Sequence, residues 1–370
     1  MRANNIIGII YSNAYDYSLS ELTSLRAMSS VPFCSRYRFI DFPLSNFVNC
    51  GISKVGIVTK SNYQSLMDHV GNGKAWDLSR KREGLYILPP FHSGVSSENR
   101  GRLESLIGIK DFLAASKEEY VLFSDCNIIC NYDLKKLFDF HTKKNADITI
   151  VYKHGTVPKL RDVMALEHGE DGKISAITTP NENDVADYST NIILIRKSLL
   201  ERLINEAVSL HFQSFTMGII QRNVEKLNMY ALECEGFFET VDSLQSYFDV
   251  SMKLLDPKNM KLLFDKEHPI YTKDRDDMPA IYGLGSSVHN SLIADGCVID
   301  GTVENSIIFR GARIAKGAHV KNCIIMQNSY ISENVKLDCI ITDKNVVVKP
   351  NNNLAGALTY PVYIGKGITI

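Results

Sequence analysis

The chain has 370 residues, 45% of them hydrophobic and 22% charged, the composition of a globular protein that buries a sizeable core as one very large domain or two ordinary ones. A formal net charge of −1 supplies no global field to recruit nucleic acid or an anionic membrane surface, so neither is expected as a partner. No charged-then-apolar leader opens the chain and no apolar run approaches the ~20 residues of a spanning helix, so a cytoplasmic location is expected.

From Asn5 to about Asp256, short apolar runs alternate with helical stretches, which predicts a layered α/β sheet. Strands are expected at Ile6–Tyr11, Lys54–Thr59, Leu85–Leu88, Tyr120–Ser124, Ile148–Tyr152 and Asn191–Ile195. Helices are expected at Ser61–His69, Leu103–Ala115 and Asp133–Lys144, the last opened by Asp133 as an N-cap. Thr240–Leu255 places Leu244, Tyr247, Phe248, Ser251 and Leu255 at helical spacing and should close the domain. The eight cysteines lack CxxC pairs, and Cys126 and Cys130 are one residue too far apart for that zinc pattern, so buried free thiols are the expectation.

The first strand and the loop behind it occupy the position where α/β proteins usually hold phosphate. Such loops use glycine so that backbone N–H groups can reach the phosphate. Here the loop reads Ser12, Asn13, Ala14, Tyr15, Asp16, Tyr17, with no glycine and with a carboxylate where positive potential is needed.

Between Asp256 and Gly283, prolines 257, 269 and 279 and a charged cluster at Lys273–Asp277 predict an extended connector. From Ser287 the period changes. Ile308, Ile314 and Val320 recur every six residues, as do Ile325, Ile331 and Leu337 after a one-residue slip, with Gly311 and Gly317 on the same step. Aliphatic residues at period six predict a left-handed parallel β-helix of hexapeptide repeats, whereas a β-sandwich would alternate with period two. The expected organisation is therefore an α/β Rossmann-like (GT-A-like) nucleotidyltransferase domain over 1–256, a connector over 257–285 and a β-helix over 286–370.

Three stretches narrow this further. RYRFIDFPLSNFVNCGI (36–52), GFFETVDSLQSYFDVSMKLL (236–255) and GCVIDGTVENSIIFRGARIAKGAHVKNCIIMQNSYI (296–331) closely resemble the ADP-glucose pyrophosphorylase (glucose-1-phosphate adenylyltransferase) family, over nearly the whole chain. That resemblance implies an enzyme that makes ADP-glucose and pyrophosphate from ATP and glucose 1-phosphate, for glycogen or starch.

The residues that would do this are altered. The family loop GGxGTRLxPLTxxRAKPAVPF aligns without a gap. Its glycines fall on Asn13, Ala14 and Asp16, its Thr-Arg pair on Tyr17 and Ser18, and its Lys-Pro pair on Met28 and Ser29. Leu19, Leu22, Thr23, Arg26, Ala27, Val31, Pro32 and Phe33 are retained and read as structural. Two carboxylates should hold Mg²⁺ against the triphosphate. One matches Asp125; the other, in a DFGxDIIP segment, falls on Gly218, and a lone carboxylate makes no such site. The Glu-Lys pair that grips glucose 1-phosphate becomes Thr178-Thr179, which cannot neutralise a phosphate. Gly101 opens the family's GTADA helix start, followed here by Arg102, Leu103, Glu104 and Ser105, with Asn99 in place of a tyrosine. Ser189 alone persists from a serine-methionine-glycine turn, followed by Thr190 and Asn191.

Asp125 is thus vestigial, Ser189 and Gly101 are substrate-site remnants, and no metal or cofactor is expected in this chain, Mg²⁺ being expected in a catalytic partner. Arg36-Tyr37-Arg38 matches the end of the family's Gly-Gly-Lys-Tyr-Arg segment, whose lysine binds anionic effectors such as sugar phosphates. Arg36 and Arg38 are therefore effector candidates, Arg38 having the alternative of a structural pair with Asp41, and Arg310 and Arg313 could face the same cleft. His319 has the position of a hexapeptide acyltransferase histidine but lacks the accompanying features, and reads as a solvated coil position.

Family enzymes are tetramers, and some bacteria carry a second paralogue, the GlgD-type subunit, that lacks the catalytic signature and modulates the catalytic one. The resemblance therefore implies a regulatory, catalytically degenerate subunit in a hetero-oligomer, probed against two rivals: a weak adenylyltransferase and a stand-alone sugar-phosphate sensor.

Overall fold

The computed structural model describes residues 3–89, 101–212 and 214–370. Strand Ile6–Tyr11 is buried along its whole length, the signature of a parallel strand covered on both faces. It lies between two parallel neighbours, Lys54–Val58 and Tyr120–Asp125, and Gly84–Leu88 extends the sheet beyond Lys54–Val58. Gly8 is required here, because a Cβ would stand 2.4 Å from the Phe47 ring of helix Asp41–Asn49. On the other side the sheet turns antiparallel through Val185–Arg196, which also pairs with Ile148–Thr156 and Ala165–His168. Ile174–Thr178 and Met229–Glu233 complete nine strands.

All six expected strands are present, and Ala165–His168, Ile174–Thr178 and Met229–Glu233 are additional. The first two of these are short and carry exposed residues without an apolar run to announce them. Asp133 caps helix Leu134–Lys143 by accepting from Lys135 N at 3.0 Å. The stretch expected as one helix over 103–115 is two, Arg102–Gly108 and Lys110–Ala114, interrupted at the low-propensity Gly108. The expected helix at 240–255 is shorter, Leu244–Lys253, because Thr240 is drawn into a ladder opposite Ile128 and Ser243 caps the helix with Ser246.

The stretch expected to be a connector carries structure. Asp256 caps a helix, Pro257–Leu263, whose last residue is buried, and the Phe264 ring lies 4.9 Å from that of Tyr37. Beyond it the chain is strapped to helix Asp41–Asn49 by Asn49 donating to Pro269 O (3.0 Å) and Tyr271 N donating to Ser45 Oγ (2.8 Å). The first β-helix strand, Ile281–Tyr282, also falls within it, exposed on its outer edge and therefore without an apolar signal.

From there three parallel five-stranded sheets form the left-handed β-helix. Ile308 pairs with Ile325, Ile314 with Ile331 and Val320 with Leu337, so each period-six position sits above its equivalent one coil earlier. The slip has a simple cause: equivalent positions are 17 residues apart, one short of three hexapeptides. The corners use left-handed backbone at Gly311, Asn328 and Asn345, residue types that tolerate positive φ.

The β-helix does not stand apart. Its Ile307, Phe309, Ile324, Met326 and Ile341 join the same apolar cluster as Phe33, Phe42 and Tyr247 of the sheet domain. Across this boundary Arg26 donates to both oxygens of Asp343 at 2.8 and 2.7 Å, with both side chains almost fully buried. Tyr363 also donates to Asp343, at 2.8 Å. All eight cysteines are buried and free. No helix among the described residues is long and apolar enough to cross a membrane.

Candidate functional site

At the carboxyl end of Ile6–Tyr11 and Tyr120–Asp125 lies a cavity of about 310 Å³, where a parallel sheet normally presents its ligand site. Its wall includes Tyr11, Tyr15, Asp16, Lys60, Arg102 and Arg161. The loop of sequence Ser12–Ser18 is held by its own side chains. Asp16 accepts from Met28 N at 2.9 Å and from Asn13 Nδ2 at 2.6 Å, and Asn13 Oδ1 accepts from Lys60 N at 3.0 Å. Burial raises the Asp16 carboxyl, opposed by these two donors. A backbone donor, Met28 N, is thus spent on a carboxylate of the protein. Tyr17 accepts from Arg161 N (2.8 Å) and the Arg161 guanidinium lies 4.6 Å over its ring, which ties the loop to the far wall.

Asp125, expected from the sequence to be vestigial, ends its strand 1% exposed and in direct contact with the guanidinium of Arg102. Arg102 is the first residue of its helix, with Gly101 as N-cap, and sits between the rings of Tyr11 and Tyr15 at 5.2 and 5.6 Å. The Tyr15 hydroxyl accepts from Arg102 (2.7 Å) and from Asn191 Nδ2 (3.1 Å). Burial raises the Asp125 carboxyl and Arg102 opposes that; burial also works against the Arg102 charge, and Asp125 with the two tyrosines outweighs it. Asn191 and Tyr15 lie beside Asp125 as well and, like Arg102, favour its charged form. Ser189 is buried and its Oγ accepts from Asn191 N at 3.0 Å, so this remnant now shapes the bulge that aims Asn191 at Tyr15.

The other sub-sites do not converge on this cavity. Thr178 and Thr179 are exposed and do not line it. Gly218, on which the aligned motif places its second carboxylate, packs on Phe212, a Cβ there standing 3.0 Å from that side chain. The segment that the fold lays beside Asp125 is Thr240–Asp242, joined to Asn127 through Val241 N (2.9 Å) and Val241 O (3.1 Å). It offers a threonine hydroxyl, and Asp242 there is engaged by Lys159 N at 2.7 Å. Among the described residues no group of three or more His, Cys, Asp or Glu could hold a metal ion. With Arg102 already on Asp125, and Asp16 engaged by Met28 N and Asn13, these carboxylates of the cleft do not fit a Mg²⁺ site. Asn99 lies outside the described residues.

A second cluster is basic and lies where the sheet domain meets the β-helix. Arg38 is not paired with Asp41 through its side chain. Asp41 takes His69 at 2.6 Å and the Arg38 backbone N at 3.0 Å, while the Arg38 guanidinium donates to Ser65 O at 2.6 Å. Burial pushes Arg38 down to about 10, with Arg26 and Arg275 adding to the effect. Burial, Arg38 and Arg26 together push Lys344 down to about 7. Arg36 is exposed and close enough to Arg310 to help lower it, after burial. Arg310 faces Asp277 and Asp295, each at 3.8 Å, and so already has counter-ions. Arg313 is exposed and makes no ion pair with a described residue; nothing links it to Arg36. His319 lies on the surface, 3.9 Å from Glu304. The sequence reading missed Lys344 and Arg275 and took Arg26 as purely structural. The signal for Lys344 was its place beside Asp343 at a β-helix corner, legible only once the pairing to Arg26 is known.

Comparison with known proteins agrees with this architecture. Residues 16–256 match the nucleotidyl transferase family, and residues 282–356 match the GlmU-like C-terminal hexapeptide family. The chain is 34% identical over 369 residues to the glycogen biosynthesis protein GlgD of Bacillus subtilis (strain 168), covering 99% of this chain and 97% of that protein. The chain belongs to this GlgD family of nucleotidyl transferase relatives. Within it, the GlgD of Geobacillus stearothermophilus is 35% identical over 86% of this chain and 83% of its own length. A glucose-1-phosphate adenylyltransferase of Clostridium perfringens (strain SM101 / Type A) is 29% identical over 90% of this chain and 87% of its own.

Proposed function

We propose that this chain is a regulatory, catalytically degenerate subunit of ADP-glucose pyrophosphorylase in glycogen biosynthesis. It assembles with a catalytic paralogue, in a tetramer, and biases that partner toward its active conformation. The observation that carries this reading is the cleft itself. Asp125 is neutralised by Arg102, and Asp16 is engaged by Met28 N and Asn13 at the loop that would have to hold phosphate. Losing one preorganised donor to a developing charge costs about 10²–10³ in rate, and here several are missing together. The similarity to proteins named glycogen biosynthesis protein GlgD, alongside glucose-1-phosphate adenylyltransferases, supports a role beside the enzyme rather than as the enzyme.

Regulation requires differential affinity for two states of the partner. The basic cluster at the domain boundary offers a place for a sugar-phosphate effector to supply it, with Arg38 and Lys344 as its centre and Arg36 at its rim. An anion there would raise the pKa of Lys344 and so draw in a proton. Affinity for fructose phosphates is accordingly expected to fall as pH rises through about 7, where Lys344 loses its charge. Calorimetric titration between about pH 6 and 8.5 in two buffers checks this through proton uptake. The same depressed pKa makes anion-free stability rise with pH above about 7, since the unfolded chain keeps that proton longer.

The subunit reading is tested by adding the purified chain to the catalytic adenylyltransferase of the same source. A raised rate or a changed effector response supports it. Unchanged kinetics over a full titration, with no complex by native mass measurement, removes it.

A further inference from the structure

Asp125 is a carboxylate 1% exposed, and a buried charge needs a counter-ion. That counter-ion is the guanidinium of Arg102, itself 13% exposed and flanked by two tyrosine rings. The pair ties a helix start and a loop to the central sheet at the cavity. Arg102 begins a helix, Asp125 ends a central strand, Tyr15 comes from the first loop, and Asn191 reaches Tyr15 from the bulged strand. Arginine suits the task, because it stays protonated throughout the accessible pH range and its fork can reach Asp125 and Tyr15 together. The helix supplies no independent anion site, since the position of its first residue is spent on this contact.

We infer that Arg102 is a built-in replacement for a divalent cation at Asp125, a clasp that keeps the cleft assembled with no metal bound. The idea deepens the non-catalytic reading above, on which it rests. Three consequences separate it from incidental salt-bridge formation. Magnesium should leave the protein unchanged, because the carboxylate is already neutralised. Removing Arg102 should uncover a response to magnesium, because Asp125 then loses the cation that it faces in the buried cleft. Removing both charges should restore much of what either single change loses, as a buried pair replaced by apolar groups is far less harmful than a broken one.

Thermal unfolding of the full chain tests this. In the unaltered protein, Tm is expected to move by less than about 1 °C between no divalent cation and about 10 mM Mg²⁺, with or without ATP. Arg102→Ala should lower Tm by about 5 °C or more. It should then gain a Mg²⁺-dependent rise that Arg102→Ala/Asp125→Asn lacks. If Arg102→Ala fails to fold, the charge-free Arg102→Met/Asp125→Leu variant should still fold, be insensitive to Mg²⁺ and melt above Asp125→Leu. The inference is overturned by a Mg²⁺ shift in the unaltered protein that Asp125→Asn abolishes, by an Arg102→Ala protein as stable as the parent, by one whose Tm ignores Mg²⁺, or by a double variant no better than Asp125→Leu. These readouts need no partner, so they stand or fall separately from the mixing experiment.

Discussion

Asp343→Ala is expected to lower the unfolding free energy by about 3–5 kcal/mol, because it strands Arg26 as a buried charge with no partner. Two Arg26–Asp343 hydrogen bonds, at 2.8 and 2.7 Å, cross from the β-helix to the sheet domain, and Tyr363 donates to the same carboxylate. The loss should also reach the basic cluster, since Asp343 is one of the groups that support the Lys344 charge. Urea unfolding followed by tryptophan fluorescence measures it, Trp76 being the single tryptophan, buried in the sheet domain. A double Arg26→Met/Asp343→Leu variant should recover most of the loss. Equal losses in single and double variants would mean that packing, and not charge, joins the two domains.

Phe33→Ala is expected to cost about 3–5 kcal/mol through the cavity that it opens. The Phe33 ring is fully buried among Phe39 (5.5 Å), Phe42 (5.7 Å) and Tyr247 (6.2 Å). Tyr247 itself donates to Pro32 O at 2.8 Å, fixing the domain-closing helix to this strand. The position explains why Val31-Pro32-Phe33 remains while the loop before it has changed. These residues hold the sheet domain against the β-helix, where Phe309 and Met326 enter the same cluster. A loss below about 1 kcal/mol in denaturant titration would contradict this account of the core.

Much of this fold is written in hydrophobic period. Ile6–Tyr11 is an uninterrupted apolar run and is buried throughout, and the period of six, with its one-residue slip, maps onto stacked β-helix positions. What escaped the sequence is set by contacts distant along the chain. Met229–Glu233 becomes a strand because Ile148–Thr156 offers it a parallel edge. The absence of glycine from the first loop is legible in the sequence, at a place where a backbone would have to approach a ligand. Its replacement chemistry is not visible in the same way. Tyr15, Arg102, Asp125 and Asn191 are scattered over 176 positions and meet only in the folded chain.

On the function proposed above, the chain acts on a catalytic partner and makes no ADP-glucose alone. ADP-glucose formation at saturating ATP, glucose 1-phosphate and Mg²⁺, measured for the purified chain, the catalytic paralogue and their mixture, tests this. The chain alone is expected to run at least about 10³-fold below the paralogue, and the mixture to differ from the paralogue in rate or effector response. Magnesium-dependent turnover by the chain alone, abolished in Asp125→Ala, would contradict it.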